Sequence, residues 1–175
     1  MKTLILTISL VLIASLQAED LPVEQEETQT VSETWYLKAV ATDKPFPAKT
    51  SVSVTPMTIK ILEGGNVELK LTMLARGRCH NLNITLEKTD EPGKYTAFRG
   101  NRVVLVTPSS MQDHYIFYSE DKWPRHRRRM VQLIGKDPEA HQEALADFKT
   151  VVESRGLHLD SIFIPKQSAS LMPTL

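Results

Sequence analysis

Val67-Glu68-Leu69-Lys70-Leu71-Thr72-Met73 alternates apolar and polar side chains at each step. That is the period of a half-buried β-strand, whose successive side chains point to opposite faces. Val52 to Leu62 predicts a preceding strand, entered by Val52 and Val54 and continued by Met57, Ile59 and Ile61. Glu63-Gly64-Gly65-Asn66 joins the two, with glycines free to take the positive φ of a tight turn. Leu82, Ile84 and Leu86 alternate again, and Asp90-Glu91-Pro92-Gly93 is a turn by composition. Lys94 to Phe98, Arg102 to Thr107, His114 to Ser119 and Met130 to Gly135 continue the series that Trp35 to Ala41 opens. The pattern therefore predicts an all-β, antiparallel domain of about eight short strands. Closing them into an up-and-down β-barrel removes the exposed edges. A two-sheet sandwich satisfies the same periodicity.

One helix follows the strands. Asp137 is placed to cap it, Pro138 suits its first turn and Glu139 its positive end. Ala144, Leu145, Phe148, Val151 and Val152 then recur at three and four, giving a single apolar stripe, and Gly156 is placed to end it. Such a stripe has nothing local to cover it, so the helix is expected to pack outside the barrel. Ile162-Phe163-Ile164 predicts a short extra strand, and residues 167–175 a loose tail.

The N-terminus changes the setting. Lys2 precedes an apolar run from Leu4 to Leu16 that is too short to span a bilayer, and Leu16-Gln17-Ala18 offers a small residue for cleavage. Residues 1–18 thus read as a signal peptide of an exported protein, with a buried N-terminal helix as the alternative. Residues 19–30 read as a flexible polar segment and 31–166 as the barrel with its helix. The chain carries 21 basic and 21 acidic side chains, and losing Lys2 with the leader leaves about −1. No global field draws it to nucleic acid, and no second long apolar run implies integral membrane association. Cys79 is the single cysteine. It is either a buried thiol or an exposed one able to form a disulfide-linked dimer.

On alternation, one face of the sheet presents Trp35, Leu37, Ala39, Met57, Ile59, Ile61, Leu69, Leu71, Met73, Leu82, Ile84, Leu86, Tyr115, Phe117, Met130 and Gln132. These residues either fill the barrel as a core or line a cavity for one small ligand. Catalytic chemistry finds no support. His80, His114, His126, His141 and His158 form neither a HExxH pair nor a Cys/His metal cluster, and no GxSxG or glycine-rich phosphate loop occurs. Each histidine reads as a surface residue, and no cofactor is implied. The run Lys122, Arg125, His126, Arg127, Arg128, Arg129 falls at a hairpin. It is either a solvated loop or a site for polyanions or acidic lipid headgroups. Asn83-Ile84-Thr85 is an N-glycosylation acceptor, with Asn83 on the face opposite Leu82 and Ile84.

The order Thr34-Trp35-Tyr36-Leu37-Lys38-Ala39, Leu62-Glu63-Gly64-Gly65-Asn66, Gly77-Arg78-Cys79, Leu86 to Ala97, Asp113 to Tyr118 and Ile164-Pro165-Lys166-Gln167-Ser168 resembles the lipocalin family over nearly the whole chain. The resemblance implies a secreted carrier that binds fatty acids, other lipids and odorant- or pheromone-like molecules in a barrel cavity. It also implies, from some family members, cysteine-protease inhibition through the segment that here runs from Leu21 to Ala39. Three positions depart from the family. Glu33 stands where the family has Gly, and Lys136 where it has an Arg stacked over the first-strand Trp. The partner of Cys79 falls near Leu171, which implies the loss of a crosslink of the kind that contributes about 2–5 kcal/mol.

Overall fold

The computed structural model describes residues 31–44 and 51–169; the expected leader, the 19–30 segment and Leu171 lie outside them. Nine strands precede the helix: β1 (Ser32–Thr42), β2 (Ser53–Val54), β3 (Met57–Ile61), β4 (Val67–Ala75), β5 (Arg78–Lys88), β6 (Lys94–Ala97), β7 (Arg102–Pro108), β8 (His114–Asp121) and β9 (Arg129–Gly135). Hydrogen bonding runs β4-β3-β1-β9-β8-β7-β6-β5 and closes through β4–β5, so eight antiparallel strands form a barrel. The predicted strand over 52–62 is split at Thr55-Pro56. Pro56 has no N–H to give a ladder. There the Thr72 N–H is satisfied by Thr55 Oγ1 at 2.9 Å while the Thr55 N–H donates to the Thr72 carbonyl at 2.9 Å.

A bulge in β1 overturns part of the alternation. Leu37 pairs with Ile134, but Ala39 pairs with Leu133, which leaves Lys38 as the extra residue. Leu37 and Val40 consequently face the interior, whereas Ala39 and Ala41 face outward among the residues under the helix. Ala39 therefore does not belong to the inner wall.

The helix is α1 (Gln142–Ser154), entered at His141 with no side-chain cap. Asp137 is too far upstream to cap it. Its carboxylate accepts from the Glu139 N–H at 3.0 Å, from Lys38 Nζ at 3.3 Å and from His141 Nε2 at 3.0 Å. The predicted stripe holds: Ala144, Phe148 and Val152 are fully buried against Ile116, Tyr118, Val131 and Leu133 on the outer face of the barrel. Gly156, at φ +71°, ends the helix, its N–H donating to the Glu153 carbonyl and that of Leu157 to the Val152 carbonyl.

Asp147 ties the helix to the β7–β8 turn, accepting from Ser109 Oγ at 2.6 Å and from the Ser110 N–H and Oγ at 2.7 Å. The Ser109 and Ser110 hydrogen bonds hold its carboxyl below the usual aspartate range, outweighing a smaller opposing effect of burial. Such a depressed group contributes stability in full above the unfolded-state value of about 3.9 and loses it as pH falls through the lower folded value. Asp147→Asn is therefore expected to lower Tm near neutral pH by about 2–4 °C, the equivalent of about 1 kcal/mol. Thermal melts of both proteins from neutral to strongly acidic pH check this: the gap should narrow on acidification, and a constant gap would remove the electrostatic account.

Beyond the helix, the predicted Ile162–Ile164 strand reduces to one bridge between Val40 and Phe163. The final strand is instead β10 (Lys166–Gln167), parallel to β2. Gln167 Nε2 also donates to the Leu37 carbonyl at 2.8 Å, so the expected loose tail is pinned at its first residue.

Candidate ligand cavity

The strand directions give the barrel two ends. The β3–β4, β5–β6 and β7–β8 connections and the start of β1 gather at one, with Trp35. The β4–β5, β6–β7 and β8–β9 turns gather at the other. Leu37, Val40, Val54, Met57, Leu86, Val104, Phe117 and Ile134 form a fully buried interior cluster. Ile59, Leu69, Leu71, Met73, Ile84 and Met130 face the same interior but are only partly buried. Leu82 pairs with Leu71 on that wall, and Gln132 lies across from Val40 and Phe117; both are half-buried. The Gln132 amide makes no hydrogen bond among the described residues.

Two further expected wall residues sit elsewhere. Ile61 is 62% exposed at the end of β3, and Tyr115 is 39% exposed, with its ring edge-on to Trp35 at 5.7 Å. Both occupy the Trp35 end, where a strand's last inward position runs out of barrel to face.

The two departures at that end answer one another. Lys136 Nζ lies 4.8 Å over the Trp35 ring and 2.7 Å from Glu33 Oε2, which also accepts from Trp35 Nε1 at 3.2 Å. The Lys136 hydrogen bond and charge hold the Glu33 carboxyl below its ordinary range. Glu33 thus anchors the lysine that covers the tryptophan.

His114 is 2% exposed and corrects the expectation that each histidine lies on the surface. Its Nδ1 faces the Gln112 carbonyl oxygen at 2.8 Å, so that nitrogen carries the proton. Nε2 then accepts from Lys38 Nζ at 2.8 Å. His114, Asp137 and His141 place ligand-type atoms within 4.8 Å of one another. Lys38, buried by the β1 bulge, puts its ammonium between His114 and Asp137, where a metal cation would sit. The network is built around an internal cation. A Cβ on Gly135 would lie 2.5 Å from His114 Nε2, so only glycine fits beneath it. No local sequence pattern announces this cluster, because 76 residues separate Lys38 from His114.

Asn83 is exposed on the outer face of β5, opposite Lys70. Cys79 is exposed near the start of β5, opposite Leu74, and the covalent dimer finds no support in this geometry. The arginine-rich run forms the β8–β9 turn, at the end away from Trp35, with a bridge between Trp123 and His126 at its tip.

An eight-stranded antiparallel barrel with an apolar interior, a tryptophan at one end and one helix outside defines a class of small-ligand carriers. Residues 32–169 match the Lipocalin / cytosolic fatty-acid binding protein family, and the chain belongs to the lipocalins. It is 57% identical over 170 residues to von Ebner gland protein 1 of Rattus norvegicus, covering 96% of each chain. It is 51% identical over 158 residues to the Major allergen Can f 1 of Canis lupus familiaris, covering 90% of each. Among solved structures, the siderocalin Ex-FABP superposes with a TM-score of 0.68 at 18% identity, covering 79% of this chain and 95% of that one, a likeness of fold.

Proposed function

We propose that the protein is an exported carrier that takes fatty acids, other lipids and odorant-like molecules into the barrel interior with broad specificity. One observation carries this reading: Leu69, Leu71, Met73, Ile84 and Met130 point into a closed barrel and are nevertheless only partly buried. Side chains that fill a core bury themselves on one another; these line space. Apolar burial at about 25 cal/mol per Å² drives entry, and the unengaged Gln132 amide offers one polar contact to orient a ligand. Met57, Met73 and Met130 suit varied shapes, since unbranched thioethers repack at low cost. Exposed Asn83 is the site for an N-linked glycan. For protease inhibition the relevant segment is Leu21–Ala39; its described part from Ser32 is committed to β1 pairing with β3 and β9, which leaves it no free strand to insert in a cleft.

Titration of delipidated protein with a fluorescent fatty-acid probe tests the carrier reading. Saturation near one site per chain, with displacement by several unrelated apolar molecules, is expected. A folded protein that binds none of them would overturn it.

A further inference from the structure

The equal numbers of acidic and basic groups conceal a strong separation by barrel end. Each turn at the end away from Trp35 carries exposed cations with no ion pair among the described residues: Arg76 and Arg78 at β4–β5, and Arg99 at β6–β7. The β8–β9 turn adds Lys122, Arg125, Arg127 and Arg128. Three described carboxylates on the strand ends are engaged, while Glu153 and Asp160, exposed near and beyond the end of α1, have no ion pair. Asp43 pairs with Arg129 at 3.4 Å, Asp121 with Arg102 at 2.5 Å, and Glu120 accepts from the Tyr118 hydroxyl at 3.2 Å. At the Trp35 end, each connection instead leaves an exposed acid outside any ion pair, Glu63, Asp90, Asp113 and Glu139, against one such exposed cation, Lys88. A molecule of nearly balanced charge thus has a positive mouth and a negative base, and a negatively charged surface would orient it mouth first.

The same rim exposes two large aromatics. Phe98 is 47% and Trp123 is 44% exposed. Phe98 is held at φ +52°, a conformation that costs a bulky residue, with the Arg102 guanidinium 4.8 Å over its ring. The two turns are locked together, since the Lys122 N–H donates to the Asn101 carbonyl at 2.7 Å. Beside Trp123 lies a pocket of about 280 Å³ between Lys44, Asp121, His126 and Arg128. Soluble polyanions would use the cations alone. A bilayer uses all of it: headgroup phosphates meet the arginines, and the aromatic rings enter the interfacial layer.

We propose that the positive rim is a docking surface for an anionic lipid bilayer. A headgroup phosphate occupies the pocket bounded by Lys44, Trp123, His126 and Arg128, whose one carboxylate, Asp121, is already paired with Arg102, and the barrel mouth faces the acyl chains. Apolar cargo would then pass between bilayer and interior without crossing water. That transfer rests on the carrier reading; the docking does not.

The test is flotation of the delipidated protein without residues 1–18 with phosphatidylcholine vesicles, and with vesicles that also contain phosphatidylserine. Binding at least about tenfold stronger to the second set, falling as salt rises, is expected. Trp123 is one of two tryptophans, and Trp35 sits at the other end. The emission should therefore shift to the blue on serine-containing vesicles, and Trp123→Phe should abolish the shift. Combined Arg125→Ser, Arg127→Ser and Arg128→Ser should remove binding, and Phe98→Ser should weaken it; probe binding in free solution should be unchanged in both. Equal binding to both vesicle types, or full binding by the triple variant, overturns the proposal. So does retention on heparin without vesicle binding, which would mark a polyanion site. Probe binding without vesicle binding defeats the docking alone; vesicle binding without probe binding defeats the carrier reading alone.

Discussion

Replacing Phe148 with alanine is expected to cost about 3–5 kcal/mol, the range for deleting a fully buried aromatic ring. Phe148 has no exposed surface, and it sits between Ala144 and Val152 on α1 and the outer barrel face. The barrel side of that seam includes Ala39 and Ala41, small residues that the β1 bulge turns outward and that leave room for the ring. Ile116, Tyr118 and Leu133 across the seam belong to the sheet and can close the void only in part, so the cavity penalty adds to the lost transfer energy. Against a total stability of about 5–15 kcal/mol this is a severe loss, and Tm should fall by about 10 °C. Urea unfolding with an unchanged m-value checks it; a loss below about 1 kcal/mol would mean that the helix contributes little to the fold. The neighbouring exposed Lys149→Ala should stay within about 0.5 kcal/mol. Because the seam lies outside the barrel, the folded Phe148→Ala protein should still bind one probe per chain.

Leu71→Trp should do the reverse, leaving stability nearly intact and weakening probe binding about tenfold or more. Leu71 lies in β4 opposite Leu82, on the half-buried inner wall. In a filled core the larger ring would force side chains off their rotamers at about 1–3 kcal/mol. In an interior with space it occupies the volume that a ligand would take, and tenfold weaker binding corresponds to about 1.4 kcal/mol. Circular dichroism and a melt, read with the probe titration, separate the two cases. A large drop in Tm with no change in residual binding would mean a packed barrel, and the carrier reading would fall with it.

The strand series and the stripe of α1 were legible in the residues alone, whereas the choice of a closed barrel over a sandwich was made by the β4–β5 pairing. Strands and stripe follow from local periodicity, and a run such as Val67 to Met73 has only one way to bury its apolar face. Most of the inner wall followed too: Leu69, Leu71, Met73, Ile84 and Leu86 face where alternation puts them. Tertiary structure decided the remainder, because each point depends on partners distant in the chain. Ala39 turned outward because β1 must keep register with β9 across a bulge, which no single-strand pattern records. Asp137 misses its expected capping role because α1 starts only at Gln142, and it pairs instead with Lys38, 99 residues earlier. Glu33 and Lys136 look like two separate departures from the family until the barrel brings them within 2.7 Å of each other. The division of charge between the barrel ends is likewise absent from any composition. It arises because up-and-down topology sends alternate connections to opposite ends, so basic turns and acidic turns spread along the chain become two poles.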